Sequence, residues 1–266
     1  MTNRVEEFLK DCIIIDTETT SKNYKEAEII EFGAVCAQQS EWVVLYNELF
    51  KPIGGIVSPE ISAVTNITTK MVKDKKTFDE NDAIVKEIFS TIHSNNLMLV
   101  AHNAPYDRGV TLNYHGYDAY KDNWLCTMRI AKRLYMGDES VTQFNLPYLR
   151  YRFELDIPEG IDAHRASADC IVAAKLLEYL ILEIDRLEVL DKSRPYKEQI
   201  MEWSNQPVFI PKMNFGKHAG QKWDEIPTDY IKWAINNLDC LRENNPLYDP
   251  DMEYTITKVI SDRLFS

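Results

Sequence analysis

The stretch IIIDTETT (residues 13–20) runs from three isoleucines into two acids, Asp16 and Glu18. A short, continuously apolar run such as residues 12–16 is typical of a central β-strand that is buried on both faces. Side chains two residues apart on a strand point to the same side, so the two acids should project together from its end. Two carboxylates side by side in a partly dry site are costly unless a cation neutralises them. The stretch therefore indicates a divalent-metal site or, as the simpler alternative, the start of a solvated turn.

Strand and helix patterns alternate along the rest of the chain, which indicates an α/β fold. Further strands are predicted at 27–37, 42–50, 97–101 and 124–128. The strongest helix follows His164, where apolar residues recur every three or four positions. This periodicity stops near residue 190, and a new apolar pattern begins near 208. We therefore expect a main domain at 1–192, a linker at 193–207 and a small C-terminal domain at 208–266.

The composition limits the classes of function. The chain has 266 residues, 45% of them hydrophobic, and a formal net charge of −12. Such an acidic balance argues against a general nucleic-acid-coating protein and against binding to anionic membranes. Any phosphate handling should therefore be local or depend on bound metal ions. The five cysteines form no CxxC pair, the N-terminus lacks a signal-peptide core, and no apolar run approaches the roughly 20 residues of a membrane span, so we expect a cytoplasmic protein with no membrane partner.

Three further residues could join the first two acids. Asp107 follows the apolar strand predicted at 97–101, and sites in sheets of this type lie beyond strand ends. The alternative role of Asp107 is to cap a helix or to stabilise the first turn of that helix. Asp169 lies at the edge of the apolar stripe of the strongest helix, where an acid would point inward. His164 is five residues from Asp169, or roughly 140° around a helix, so it should precede that helix in a loop. For His164 alone, a capping or surface role is the alternative.

Taken together, these residues resemble the DEDDh family of 3′→5′ exonucleases, which includes the proofreading subunits of replicative polymerases. The resemblance rests on Asp16 and Glu18 in IIDTET, Asp107 in VAHNAPYDR, and His164 with Asp169 in HRASADC. Similarity to the exodeoxyribonuclease X group within that family lies in WLCTMRIAKRLYMG (124–137), HRASADCIVAAKLL (164–177), FGKHAGQKW (215–223) and DYIKWAINNLD (229–239). One departure is AVTNIT (63–68), where relatives often carry His-Gly or His-Arg before the isoleucine. The resemblance therefore does not predict which contacts this loop makes, whereas the catalytic residues are unaffected.

The resemblance implies a ribonuclease H-like fold, with a mixed five-stranded sheet flanked by helices, and a metal-dependent mechanism. Four carboxylates would bring a charge of −4, which two Mg²⁺ or Mn²⁺ ions would balance, and carboxylate oxygens suit these hard ions. Asp16, Glu18, Asp107 and Asp169 would hold the metals, and His164 would act as the general base. The implied reaction releases nucleoside 5′-monophosphates from DNA 3′ ends, single-stranded and possibly duplex.

Contacts with the nucleic acid are harder to predict from sequence. Thr17, Thr19 and Thr20 surround the first acids, and in resembling enzymes this segment abuts the terminal sugar; Asn103 is the fourth candidate. Turn chemistry and β-propensity are the alternative for the threonines, and loop capping is the alternative for Asn103. In the C-terminal unit, Lys212, Lys217 and Lys222 could hold nucleic acid, and Trp223, Tyr230 and Trp233 could stack on bases or form the core of a small domain.

Two other functions remain open at this point. The same acids serve a 3′→5′ RNA exonuclease, because they do not distinguish sugars and the 2′-OH is read by pocket shape. A non-catalytic module that binds nucleic acid or a polymerase could also use this fold, although all five expected positions are filled.

Overall fold

A computed structural model describes residues 3–38, 41–79, 82–114, 123–158, 165–242, 245 and 248–265. Within these ranges the chain divides into two compact units. The first comprises Met1–Ile130 and Gln143–Ser204, and the second comprises Ala131–Thr142 and Asn205–Ser266. None of the described helices combines the length and the apolar character that crossing a bilayer requires.

The first unit is built on a mixed five-stranded sheet, which confirms the expected fold class. Its strands are β1 (Cys12–Thr19), β2 (Ile29–Gln38), β3 (Glu41–Leu49), β4 (Met98–Ala101) and β5 (Trp124–Cys126). The spatial order is β3-β2-β1-β4-β5. Strand β1 runs antiparallel to β2 and parallel to β4, and β4 runs parallel to β5. The predicted strands at 12–16 and 97–101 are therefore neighbours in the sheet.

Strand β1 continues past the predicted end at residue 16. Asp16 pairs with Gly33 and Glu18 with Glu31 on β2, and the register shifts only between Glu18 and Thr19. Residues Cys12 to Ile15 are buried, as their continuous apolar run predicts, because sheet neighbours and helices cover both of their faces. Both acids thus lie on a paired strand rather than in a turn, which removes the simpler alternative for this stretch.

Helices flank the sheet and connect its strands. Their bounds are α1 (Asn3–Lys10), α2 (Pro59–Thr65), α3 (Thr69–Val72), α4 (Asp82–Ser94), α5 (Ala104–Leu112), α6 (Thr127–Tyr135), α7 (Leu146–Arg152), α8 (Ala166–Leu187), α9 (Tyr196–Asn205), α10 (Thr228–Asn237) and α11 (Pro250–Phe265). The apolar stripe of α8 is buried along its length, as its spacing predicts. The segment AVTNIT (63–68), which differs from the sequence pattern of the family, covers the end of α2. Asn66 in this segment takes a left-handed conformation as the C-cap of the helix.

The second unit has a small core of its own. Its buried apolar side chains are Ile210, Met213, Trp223, Ile226, Ile231, Ala234, Met252, Ile256 and Val259. The carboxylate of Asp251, which is only 1% exposed, accepts hydrogen bonds from the Lys132 ammonium at 2.8 Å and the Val208 amide at 2.9 Å. This buried ion pair ties residues 131–142 to the C-terminal region, a link between distant segments that local sequence patterns do not show.

The unit boundary at 204/205 falls inside the segment expected to be a linker. Residues 196–205 of that segment form helix α9, in which Gln199 and Ile200 are buried. Most of α9 therefore belongs to the first unit, where Tyr196 packs edge-on against Phe8 and the Ser204 hydroxyl accepts a hydrogen bond from the Cys126 amide.

Candidate active site

Three carboxylates converge at the carboxyl end of β1. Asp16 and Glu18 project from the strand, and Asp169 lies in the first turn of α8. One oxygen atom from each of the three residues lies within 4.8 Å of the other two. All three side chains are partly buried. The structure thus brings together acids that are more than 150 positions apart in sequence.

Asp107 is connected to this group by hydrogen bonds from Thr17. It occupies the first turn of α5, which follows β4, and because β4 is parallel to β1 the two strands end at the same edge of the sheet. Its Oδ1 accepts hydrogen bonds from the Thr17 amide at 3.1 Å and the Thr17 hydroxyl at 2.8 Å. Thr17 is the residue between the first two acids, so these bonds fix Asp107 against the acid-bearing end of β1.

The electrostatics of the group favour a bound cation. Burial, followed by repulsion from Asp107, Glu18 and Asp169, raises the pKa of Asp16 well above its ordinary value. Burial and the charges of Asp169, Glu31 and Asp107 raise the pKa of Glu18 to about 8. Burial raises the pKa of Asp107 to about 7, although the Thr17 hydrogen bonds oppose this shift. These shifts mean that the ionised carboxylates repel one another unless positive charge lies among them.

Glu31 on β2 is a further buried acid at this site. Its backbone pairs with that of Glu18, and two like charges directly opposite on neighbouring strands are unfavourable. The Arg165 guanidinium compensates, with Nε and Nη2 donating to the Glu31 carboxylate at 2.9 and 2.7 Å. The Ala166 amide also donates to Glu31 at 3.0 Å. Glu31 thereby attaches the start of α8 to the sheet.

Gly33 allows α8 to approach the sheet this closely. A Cβ atom at this position would lie 2.6 Å from the carbonyl carbon of Ala166 and 2.7 Å from the amide nitrogen of Ser167. Gly33 is also the β2 partner of Asp16. The missing side chain therefore lets the helix that carries Asp169 pack directly over the strand pair that carries Asp16.

The candidate substrate-contacting threonines are held by bonds within the protein. The Thr19 hydroxyl bonds to the Tyr106 hydroxyl and to the Ser21 carbonyl, and Tyr106 also donates to Ser21. The Thr20 hydroxyl accepts a hydrogen bond from the Glu28 amide at 2.9 Å. Their side chains therefore fix the turn after β1, which agrees with the turn chemistry weighed as their alternative role.

Asn103 and His102 occupy the junction between β4 and α5. Asn103 is exposed, adopts a left-handed conformation (φ 74°) and precedes α5 without a side-chain capping bond. His102 Nδ1 lies 2.9 Å from the Thr127 hydroxyl, and its Nε2 lies 2.8 Å from the Phe144 carbonyl. Because a carbonyl only accepts, Nε2 carries the proton and Nδ1 accepts from Thr127. Burial lowers the pKa of His102 to about 4, so this histidine is neutral, and its two hydrogen bonds connect the end of β4 to Thr127 and Phe144.

His164 lies outside the described residues, immediately before Arg165. Lys212, Lys217 and Lys222 belong to the second unit.

The residues present fit a divalent cation. Their donor atoms are carboxylate oxygens, which Mg²⁺ and Mn²⁺ prefer, and their mutual repulsion is relieved by positive charge. Glu31, Arg165, Gly33 and Tyr106 were not identified from the sequence. A charged residue inside the apolar run EIIEFG (28–33) was the available signal for Glu31.

Known proteins share both the sequence pattern and the fold. The family model described as RNase T, exonuclease, matches residues 13–177. Exodeoxyribonuclease 10 of Escherichia coli K12 is 28% identical over 232 residues, which cover 86% of this chain and 92% of that protein. DNA polymerase III subunit epsilon of Treponema pallidum is 30% identical over 169 residues, covering 62% of this chain and 74% of that protein.

Solved structures agree with these sequence matches. The structure of exonuclease X in complex with 5′ overhanging duplex DNA aligns with 73% of this chain and 99% of its own, with a TM-score of 0.52 and 27% identity. E. coli exonuclease I in complex with a dT13 oligonucleotide aligns with 66% of this chain and 42% of its own, with a TM-score of 0.52 and 19% identity. The second match shows a shared fold.

Proposed function

This chain belongs to the RNase T exonuclease family and is a 3′→5′ exonuclease, and we propose that it degrades DNA from 3′ ends with the help of two divalent cations. The observation that carries the proposal is the convergence of Asp16, Glu18 and Asp169 at the end of β1. DNA as the substrate is supported by a relative named exodeoxyribonuclease 10 and by the DNA-bound exonuclease X structure. The products would be nucleoside 5′-monophosphates.

Two Mg²⁺ or Mn²⁺ ions would be held by Asp16, Glu18, Asp107 and Asp169. Four carboxylates carry −4 and two such ions carry +4, so the site would be neutral when loaded. Bound divalent cations would supply an acidified water and would stabilise charge on the leaving oxygen. His164 would accept the proton of the attacking water at a ring nitrogen, since the ordinary pKa of imidazole lies near neutrality.

We propose that the segment around the first acids receives the terminal nucleotide. The side chains of Thr17, Thr19 and Thr20 are engaged within the protein, so they would shape this surface while the backbone contacts the 3′ end. Asn103, which is exposed in the loop between β4 and α5, would contact the substrate with its side chain.

The first unit would act as the exonuclease domain and the second as an accessory domain that holds nucleic acid through Lys212, Lys217 and Lys222. All five cysteines are free thiols, which supports our proposal that the protein works in a reducing cytoplasm.

An assay with labelled single-stranded DNA, duplex DNA and RNA, each in Mg²⁺ or in EDTA, tests the function. We expect release of mononucleotides from DNA in Mg²⁺ and none in EDTA. Preferred degradation of RNA would replace the DNA proposal with an RNA exonuclease, and no degradation of any substrate would leave a binding module.

Variants test the assigned residues. Asp16→Ala should abolish activity, and His164→Ala should reduce turnover strongly while leaving metal binding largely intact. Asp74→Ala removes an exposed acid outside the site and should match the wild type. Wild-type turnover in His164→Ala would remove this histidine from the mechanism.

A further inference from the structure

The second unit presents an exposed aromatic pair on helix α10. Trp233 is 49% exposed, and its ring lies 5.3 Å from that of Tyr230 at an interplanar angle of 33°. Trp223, in contrast, is buried in the core of this unit, where its indole nitrogen donates to the Ile210 carbonyl at 2.5 Å. The structure therefore divides the three aromatic candidates: Trp223 is a core residue, whereas Trp233 is available at the surface.

A glycine-rich loop brings a cation to this pair. Gly216 and Gly220 adopt positive φ values of 69° and 83°, which L side chains rarely take, and the Gly220 amide closes the loop on the Met213 carbonyl at 2.7 Å. This geometry places the Lys217 ammonium 4.9 Å from the centre of the Tyr230 ring. The His218 ring packs on the same tyrosine, edge-on, at 4.4 Å.

The three lysines of this region differ in their surroundings. Lys212 forms an ion pair with Glu139 at 2.7 Å, and the hydrogen bond and charge of Lys212, with a smaller effect of the Lys222 charge, lower the pKa of Glu139. Within the part of the chain that the structure describes, the Lys217 ammonium has no carboxylate partner. Lys222 forms no ion pair within that part either, but Lys217 is the lysine of the set that lies against the Tyr230 ring, which makes it the cation best placed for an anionic ligand there.

We propose that Lys217, Tyr230 and Trp233, called here the aromatic surface, bind single-stranded nucleic acid by stacking a base on the Trp233 indole. An exposed ring with a cation on the neighbouring ring fits a base and its adjoining phosphate, and such stacking tolerates any sequence because every base has a π face. Of the three lysines proposed to hold nucleic acid, this surface uses only Lys217, and it adds the rings of Tyr230 and Trp233. It rests on the proposed nuclease function, because the bound strand would be the substrate.

Binding of a labelled DNA strand of about 20 nucleotides, longer than the ~4–16 nucleotides that one single-strand-binding module covers, tests the surface. The measurement uses the full chain in EDTA, which removes the divalent cations and so prevents the proposed cleavage of the DNA. Trp233→Ala should weaken binding about 5- to 10-fold, and Trp233→Phe should retain most of the affinity. Tyr254→Ala, which removes another exposed ring of the same unit, should bind as the wild type does.

The salt dependence of DNA binding tests the role of the Lys217 ammonium. Lys217→Gln should lower the slope of log affinity against log salt by about 0.7, the value for one phosphate contact on a single strand. Lys258→Gln, a neutralised lysine on α11, serves as the control. Unchanged affinity in both Trp233→Ala and Lys217→Gln would overturn the proposal, as would an equal loss in the two controls.

Cleavage separates this proposal from the function on which it rests. In Mg²⁺, Trp233→Ala should raise the KM for the long strand and leave the rate on a dinucleotide unchanged. Wild-type protein that releases no mononucleotide would reject the nuclease proposal, whereas active wild type with an unaffected Trp233→Ala would reject only the aromatic surface. Binding of a protein partner but not of DNA by this surface would also reject it.

Discussion

At the scale of single residues, burial and a few hydrogen bonds decide whether a titratable group acts in chemistry or in structure. Asp16 and His102 both lie near the carboxyl ends of neighbouring strands. The acid faces other carboxylates, so its charge needs a cation. The histidine has both ring nitrogens engaged by Thr127 and Phe144, so it is neutral and has no vacant position for a substrate.

The low pKa of His102 predicts a stability that depends on pH. An unfolded histidine titrates near 6.5, whereas His102 titrates at about 4 in the folded chain, so the unfolded state binds more protons between these values. The contribution of His102 to the free energy of unfolding is therefore lost as the pH falls through this window, by about 2 kcal/mol between roughly pH 7 and 5.

Denaturant unfolding at the two pH values measures this loss. Between roughly pH 7 and 5, the His102→Gln variant, whose amide does not titrate, should change in free energy of unfolding more favourably than the wild type by about that amount. An identical pH dependence in the variant and the wild type would contradict the structural assignment of this histidine.

At the scale of elements, the site depends on how closely α8 approaches the strand pair β1–β2. The helix begins where Arg165 and the Ala166 amide bind Glu31, and it crosses the sheet at Gly33. Strand pairing fixes Asp16 and Glu18, but the position of Asp169 follows from this helix contact. A small displacement of α8 would therefore separate the third acid from the first two.

Gly33→Ala tests the helix contact. The added methyl would lie 2.6 Å from the backbone of Ala166, so α8 must shift, at a cost of about 1–3 kcal/mol in the free energy of unfolding. Affinity for Mn²⁺ should fall as Asp169 moves away, as measured by titration calorimetry. Gly54→Ala is the matched control, because an added Cβ there meets no atom within 4 Å. Equal metal affinity in both variants would show that α8 does not position the site.

At the scale of the whole molecule, the cluster of acids opposes folding until a cation binds. The pKa values of Glu18 and Asp107 rise to about 8 and about 7, above the ordinary values of 4.5 and 3.8. These two acids then bind more protons in the folded state than in the unfolded state, so their contribution to stability in EDTA should fall as the pH rises from about 4.5 to 8.

Divalent cations should reverse this trend, because they bind the ionised carboxylates of the folded state. At a cation concentration near one hundred times Kd, the gain in the free energy of unfolding should be about 2.7 kcal/mol. Thermal unfolding across this pH range, with EDTA or Mg²⁺, makes the comparison. Asp16→Asn should flatten the pH dependence in EDTA and reduce the gain from Mg²⁺; a wild-type response in this variant would place the cation elsewhere.

The sequence by itself determined the α/β class, the buried strands and the residues able to provide carboxylates. These features follow from local periodicity and from residue chemistry: the run IIID lies in a central strand, and the stripe of α8 buries one helical face. A second domain from about residue 208 stays a prediction of the sequence, and the apolar pattern gave no sign that residues 131–142 join the C-terminal unit.

Only the tertiary structure decided which groups meet. Glu31 and Arg165 are 134 positions apart, and Lys132 and Asp251 are 119 apart, so no local pattern connects them. The exposure of Trp233 and the burial of Trp223 were equally hidden, because the buried tryptophan stands among charged residues in the sequence and the exposed one among mostly apolar residues. Long-range packing, which removes some side chains from water and leaves others at the surface, assigns these roles.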